Sequence, residues 1–385
     1  MTLADYSLIR GVCYGWGGDP ATIERDLGYA QRLRLNSTRI WLSYPQYWQD
    51  PQRYLEKLRQ YVRTAHSMGI STMPILWNGN NIDISILEEG YWPTGEQYVG
   101  DVVNALTDEP GLLIWDIMNE PTCNDYIRTT DLEERARNEA KMWSFVRHYC
   151  GVVKELDPAH PITVGNTFIE DVEPTGDLVD VISFHDYLET RQRVESTYVH
   201  AAELSSKYSK PLINSELACL ARANPYDMAL DACERHGVGW YLFELMVHDY
   251  WGDVHGIVYP DGTVRDPAIV AAIYGFHRNR DVTARVRPNP NKEGHAYRAL
   301  KLVDEALMEE RALFKHQRKP SDHLLEAAEY CANLLEGSEM VAMIDAPTAQ
   351  ILAWRQQKEE DRDVDAMRIF TYDLAQLLKK HCQIL

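Results

Sequence analysis

Over the first two thirds of the chain, short apolar runs alternate with longer amphipathic ones, the pattern of a parallel sheet covered by helices. Eight runs read as strands: Arg10 to Gly15, Ser37 to Ser43, Ser71 to Trp77, Leu112 to Asn119, Pro161 to Asn166, Val179 to Tyr187, Pro211 to Glu216 and Gly239 to Leu245. Their interiors are rich in Val, Ile, Leu and Trp, as strands buried on both faces require. Between them, Asp50 to Met68 repeats Tyr54, Leu58, Tyr61, Val62 and Ala65 at three- and four-residue intervals, which predicts a helix. Thr22 to Arg34, Tyr98 to Leu106, Glu133 to Leu156, Ser196 to Tyr208 and Tyr226 to His236 fill further crossovers, with Gly69 and Gly237 as C-terminal stops. The crossover between the fifth and sixth strands is too short for a full helix. Strict alternation of eight strands favours an α/β fold of the closed (β/α)8 TIM barrel type over a doubly wound sheet.

The texture changes after Phe276. A Pro/Asn-rich break, Val286 to Asn291, is followed by no further strand, so the expected division is a barrel over residues 1–285 and a helical C-terminal extension over 286–385. Within the extension, Ser321 to Glu336 gathers Leu324, Leu325, Ala328, Cys331, Ala332 and Leu335 on one face, with Ser321 as N-cap candidate and Gly337 as stop. Ala346 to Glu360 and Val364 to Cys382 read as further helices. Their apolar faces need cover, from the barrel or from a second subunit, so a homo-oligomer built through the extension is one expectation.

Charge narrows the partners. The net charge is -19, and residues 282–385 hold 15 Lys+Arg against 17 Asp+Glu, which leaves 24 against 41 on residues 1–281. A surface that acidic repels phosphate backbones and anionic membranes, which argues against nucleic acid and polyanionic polysaccharide and leaves neutral ligands open. No apolar run approaches the length of a membrane span. Seven cysteines at irregular spacings, with no CxxC pair, fit free thiols in a reducing, cytoplasmic setting, and Met1 to Arg10 lack the basic head and apolar core of a secretory signal.

Chemistry concentrates at strand ends. The fourth strand runs through apolar residues to Asn119-Glu120-Pro121, and the seventh ends Ser215-Glu216. A glutamate alone at such a place reads as a helix cap or a rim salt bridge. Two of them on strands that face each other across a closed barrel match what glycosidic cleavage needs, one carboxyl on each side of the anomeric carbon. No glycine-rich strand-to-helix turn supports a phosphate or dinucleotide site, and no HxH or HExxH arrangement supports a metal; neither cofactor nor metal is expected. Ten Trp and 22 Tyr supply faces for sugar rings, with Trp16, Trp77 and Trp251 the candidate platforms.

With Asn-Glu-Pro after one strand and Glu ending another three strands on, the chain resembles the clan A glycoside hydrolases, in particular the cellulase-like family 5, over roughly residues 8 to 280. The resemblance implies a retaining β-glycoside hydrolase acting on a small carbohydrate, with Glu120 as acid/base, Glu216 as nucleophile and Asn119 at the sugar 2-hydroxyl. It further implies that Arg39 lies beside the nucleophile and that His185 and Tyr187, in Phe184-His185-Asp186-Tyr187, flank it. Two departures stand out: Trp77-Asn78 where many family members carry a histidine, which makes Asn78 a substrate-contact candidate, and Phe243 where a tryptophan is usual. On charge alone, Arg39 should keep Glu216 ionised, while Glu120, desolvated beside a second carboxylate, should hold a proton near neutral pH. Two other readings use the same barrel: one that binds carbohydrate without cleaving it, and a metal-dependent hydrolase built on His185, His248 and His255.

Overall fold

The computed structural model describes residues 5–80, 82–275, 320–335 and 347–381. Eight parallel strands close into a barrel in sequence order: β1 (Arg10–Tyr14), β2 (Ser37–Trp41), β3 (Ser71–Asn78), β4 (Trp115–Asn119), β5 (Ile162–Asn166), β6 (Ile182–Asp186), β7 (Leu212–Leu217) and β8 (Gly239–Leu242). β1 pairs with both β2 and β8, which completes the ring. The fold is thus the (β/α)8 barrel expected from the strand count.

The outer layer consists of α1 (Pro20–Arg32), α2 (Tyr44–Gln49), α3 (Pro51–Ser67), α4 (Trp92–Leu106), α5 (Leu132–Leu156), α6 (Arg191–Tyr208), α7 (Tyr226–His236), α8 (Asp249–His255) and α9 (Pro267–Ile273). Asp19, Asp50 and Asp131 cap the starts of α1, α3 and α5 by accepting backbone N–H bonds, and Pro opens the first two. Gly69 and Gly237 follow α3 and α7 with φ of 75° and 64°, the left-handed conformation that ends a helix. The β5 to β6 connection carries a 3-10 turn, Ile169–Val172, in place of a helix, as its length predicted.

Two apolar shells build the barrel. Between strands and helices lies a large core that includes Leu27, Leu58, Val99, Trp115, Phe145 and Phe184. Inside the ring, Cys13, Met73, Ile213 and Tyr241 pack together with Ile114 and Val181, so the interior is a filled core and not a pore. The Ser37 and Tyr241 hydroxyls meet there at 2.8 Å. The functional side chains lie one step further along the strands, at their C-terminal ends.

The C-terminal unit is helical over its described residues: Pro320–Leu335, Pro347–Gln356 and Val364–His381. Leu324, Leu325, Cys331, Leu335, Ile351, Trp354, Met367 and Leu374 form its own core. Ser321 lies inside the first of these helices, one residue past Pro320, and is not its cap; its hydroxyl instead accepts from Arg362 at 3.2 Å. The expected boundary at 285/286 and the stop at Gly337 fall outside the described residues. No described helix is long and apolar enough to cross a membrane.

Candidate active site

An arginine inside a barrel must be neutralised or it will not stay there. Arg39, on β2, is fully buried and spends its donors on three partners: Nε on Asp116 Oδ2 at 2.9 Å, Nη1 on Glu216 Oε1 at 2.5 Å, and Nη2 on Asn119 Oδ1 at 2.8 Å. Burial opposes its charge, but Asp116 and Glu216 outweigh that and hold it above the ordinary arginine value. Asp116 sits mid-strand in β4, and its second oxygen accepts from Gly165 N at 3.0 Å. One buried cation therefore ties β2, β4 and β7 together beneath the barrel mouth.

Glu216 Oε2 accepts from the Tyr187 hydroxyl at 2.8 Å, so both oxygens of this carboxylate have donors. Burial and the neighbouring Glu216 charge push the Tyr187 hydroxyl well above its ordinary pKa, which keeps it a donor. Glu120 faces Glu216 across the mouth. His185 Nδ1 stands between them, 2.9 Å from Glu120 Oε1 and 3.5 Å from Glu216 Oε2. The amide of Asn80 donates to Glu120 Oε2 at 2.9 Å, and Asn119 Nδ2 donates to Asn78 Oδ1 at 3.0 Å.

The backbone is shaped to make these approaches. Register shifts fall at Asp116/Asn119 on β4, Phe184/His185 on β6 and Asn214/Leu217 on β7, next to each of Glu120, His185 and Glu216. Such bulges re-aim a side chain that strict alternation would send elsewhere. Glu120 has a left-handed φ of 47°, fixed by its N–H on the Gly165 carbonyl at 2.7 Å.

The electrostatics of Glu120 differ from the sequence expectation. Burial raises its pKa, but hydrogen bonds and charge from His185, the Asn80 amide and the nearby Arg222 outweigh it, and the carboxyl is held down at about 2. A second carboxylate nearby was the basis for expecting a proton on Glu120; the imidazole placed between the two carboxylates reverses that balance.

Arg39, Asn119, Glu120, His185, Tyr187, Glu216 and Asn78 thus meet in one place. The tryptophans divide. Trp16 is buried, donates to the Trp41 carbonyl at 2.8 Å and packs edge-on against Tyr54. Trp77 is buried among Tyr98, Phe145 and Tyr149 of α4 and α5. Both are core residues with no face free for a sugar, contrary to expectation, because the strand-to-helix layer takes the large side chains at these strand ends. Trp251 is 52% exposed, beside Tyr250 in α8.

The three histidines of the metal reading do not assemble: His248 is exposed, and His255 is buried against Cys219 and the Tyr187 ring. Among the described residues, the metal-capable side chains that converge are Glu120, His185 and Glu216, with one ligand atom from each lying within 4.8 Å of the others. The carboxylate oxygens of Glu120 and Glu216 already accept from Asn80, Arg39 and Tyr187.

Four contributors escaped the sequence reading. Asp116 had a legible signal, a charge within a strand buried on both faces. Asn80 lies in a loop and Arg222 ends a short 3-10 turn, Leu220–Arg222, where no periodicity marks them. Gly165 matters for what it lacks.

No family model matches the chain, and no curated protein matches it in sequence. Solved structures do match in fold. An endo-1,4-β-mannanase from Rhizomucor miehei aligns over 70% of this chain and 93% of its own, at 16% identity and a TM-score of 0.57. The endo-1,4-β-D-mannanase of Thermotoga petrophila RKU-1 aligns over 69% and 98%, at 15% identity and 0.55. A family 5 glycoside hydrolase of subfamily 18 from Streptomyces cattleya, solved with GlcNAc, aligns over 69% and 79%, at 14% identity and 0.54. At these identities the likeness establishes a common barrel fold.

Proposed function

We propose that the chain is a retaining β-glycoside hydrolase. The observation that carries this reading is the facing pair Glu120 and Glu216 with His185 between them, oxygens of the two carboxylates lying within 4.8 Å of each other. Carboxyls about 5 to 5.5 Å apart leave room for a covalent intermediate, whereas inversion needs about 6.5 to 9.5 Å to admit a water. That solved structures of the same fold include endo-1,4-β-mannanases supports a β-linked glycoside as substrate.

In the first step Glu216 attacks the anomeric carbon, and the bond to the leaving oxygen breaks with its electron pair going to that oxygen. Glu120 supplies the proton. In the second step Glu120 takes a proton from water as that water attacks the same carbon, and Glu216 departs as a carboxylate. Arg39 and Tyr187 aim Glu216, through bonds of 2.5 and 2.8 Å. As a sugar displaces water from the mouth, the Glu120 anion loses solvation, which raises its carboxyl toward the protonated form that the first step needs. Trp251, exposed in α8 after β8, offers a ring to sugar units beyond the cleaved bond.

The free thiols of Cys13, Cys123, Cys150, Cys219, Cys233 and Cys331 support a reducing, cytoplasmic location. The deciding experiment is hydrolysis of a panel of 4-nitrophenyl β-glycosides followed by NMR of the first-formed anomer. A β product from a β substrate is expected. An initial α product would replace retention by inversion, and no turnover of any β-glycoside or β-linked oligosaccharide would remove the glycosidase reading.

A further inference from the structure

One acid at the barrel mouth has no part in the two-step chemistry. Glu244 lies just past β8, and its position is fixed on both sides: its carbonyl accepts from Ile257 N at 3.1 Å, and the next residue, Leu245, donates to the Cys13 carbonyl at 3.0 Å. Its Oε1 is closed off from solvent and has no hydrogen-bond partner among the described residues. The side chain lies within electrostatic reach of Glu216 on β7, of Cys13 on β1 and of Asp249 at the start of α8. His255 of α8, packed on Phe243 at 4.8 Å, is pushed down to about 4 by burial and the nearby Arg222 and is neutral. No cation among the described residues pairs with Glu244.

We propose that Glu244 is a specificity-determining residue: its carboxyl hydrogen-bonds a hydroxyl of the sugar ring held against Glu216, and it selects a neutral glycon over a uronate. This rests on the glycosidase reading of the site. A buried carboxyl oxygen without a partner is costly, and the missing partner must be able to enter and leave. Burial, Asp249 and Glu216 together push the Glu244 carboxyl up to about 8, so at neutral pH it is an acid that can both donate and accept. A sugar hydroxyl is its complement, able to accept the O–H and donate to Oε1. A uronate carboxylate would instead add an anion beside Glu216 and Asp249, against the field that already keeps Glu244 protonated.

The test compares the protein with Glu244→Gln and Glu244→Leu on 4-nitrophenyl β-D-glucoside, β-D-mannoside, β-D-galactoside and β-D-glucuronide, then on the monodeoxy analogues of the fastest. The glucuronide should be the poorest. Removal of one particular hydroxyl should lower kcat/KM of the unaltered protein about 10- to 100-fold, the cost of leaving one buried polar group unpaired. Glu244→Leu should be indifferent to that same deletion, while Glu244→Gln, whose amide also donates and accepts, should still discriminate. The fall of kcat/KM above pH about 8 should be present in the unaltered protein and absent in Glu244→Gln. If Glu244→Leu discriminates among the deoxy analogues as the unaltered protein does, or if the glucuronide is the best substrate, the proposal is overturned. Full turnover by Glu216→Ala would overturn the glycosidase reading itself, and Glu244's role with it.

Discussion

Gly165 and Arg39 approach each other so closely that no side chain fits between them: a Cβ on Gly165 would stand 2.4 Å from Arg39 Nη2 and 3.0 Å from Asp116 Oδ2. Gly165→Ala must therefore displace the guanidinium that serves Glu216. The expected result is a drop in kcat of about 100-fold, since misplacing a reacting group by an ångström costs that much. Far-ultraviolet circular dichroism should be unchanged, which separates a shifted site from a lost fold.

Arg39 itself should be more sensitive. Arg39→Met leaves the buried carboxylates of Asp116 and Glu216 without their shared cation, and breaking a buried pair from one side costs about 3 to 5 kcal/mol. Arg39→Lys keeps the charge but cannot reach Asp116, Glu216 and Asn119 together, so it should recover stability more than turnover. Denaturant midpoints and kcat measured on the same samples would show that split. Equal recovery of both would mean that charge alone is what matters here.

Exchanging the two glutamates for alanine separately should give different defects. Glu216→Ala should lose turnover on every substrate, because no glycosyl intermediate can form. Glu120→Ala should lose it mainly with poor leaving groups. With an activated aryl glycoside and azide, the Glu120 variant should yield the β-azide through the intermediate, and the Glu216 variant the α-azide by direct attack. The opposite pairing would reverse the two roles.

Glu244 should leave a mark on stability as well as on substrate choice. Its folded pKa, about 8, lies above the ordinary value of 4.5, so between these limits the native state holds a proton that the unfolded chain has released. Stability from this group is full below pH 4.5, falls as pH rises, and levels off above about 8. The slope amounts to about 1.4 kcal/mol per pH unit for one proton. Glu244→Gln should remove that slope. Urea unfolding at pH 5, 6, 7 and 8 would detect it, and parallel curves for the two proteins would contradict the assignment.

Trp251→Ala should have little effect on stability, since the ring is half exposed. It should raise KM for oligosaccharides several-fold while leaving short aryl glycosides nearly unaffected, the signature of a platform distant from the reacting carbon. An equal effect on both substrates would place the ring at the cleaved sugar instead.

What could be read in advance follows from what periodicity encodes. Apolar runs at strand spacing locate β1 to β8 within a few residues, and the barrel's symmetry then puts the ends of β4 and β7 across from one another, which is why Glu120 and Glu216 were found. Burial of a given aromatic is a different matter. Trp16, Trp77 and Trp251 all lie at or near strand ends, yet only packing against Tyr54 on α3, or Tyr98 and Phe145 on α4 and α5, decides which face a ligand could reach. The protonation of Glu120 was likewise beyond a pairwise reading, because it depends on Asn80 and His185 arriving from β3's loop and β6 at once.

The missing crossover helix between β5 and β6 gives the wall of the barrel a seam. Their register covers just Gly165 with Ser183 and Asn166 with Phe184, and side chains help to stitch the gap: Thr163 donates to the Val181 carbonyl at 2.7 Å and Asn166 to the Ser183 carbonyl at 3.0 Å. With two paired positions here against five between β2 and β3, amide protons of β5 and β6 should exchange with solvent sooner than those of β2 and β3. The two strands that flank this seam hold the acid/base from both sides, β5 through the Gly165 carbonyl on the Glu120 amide and β6 through His185 on its carboxyl, so each opening of the seam slackens Glu120.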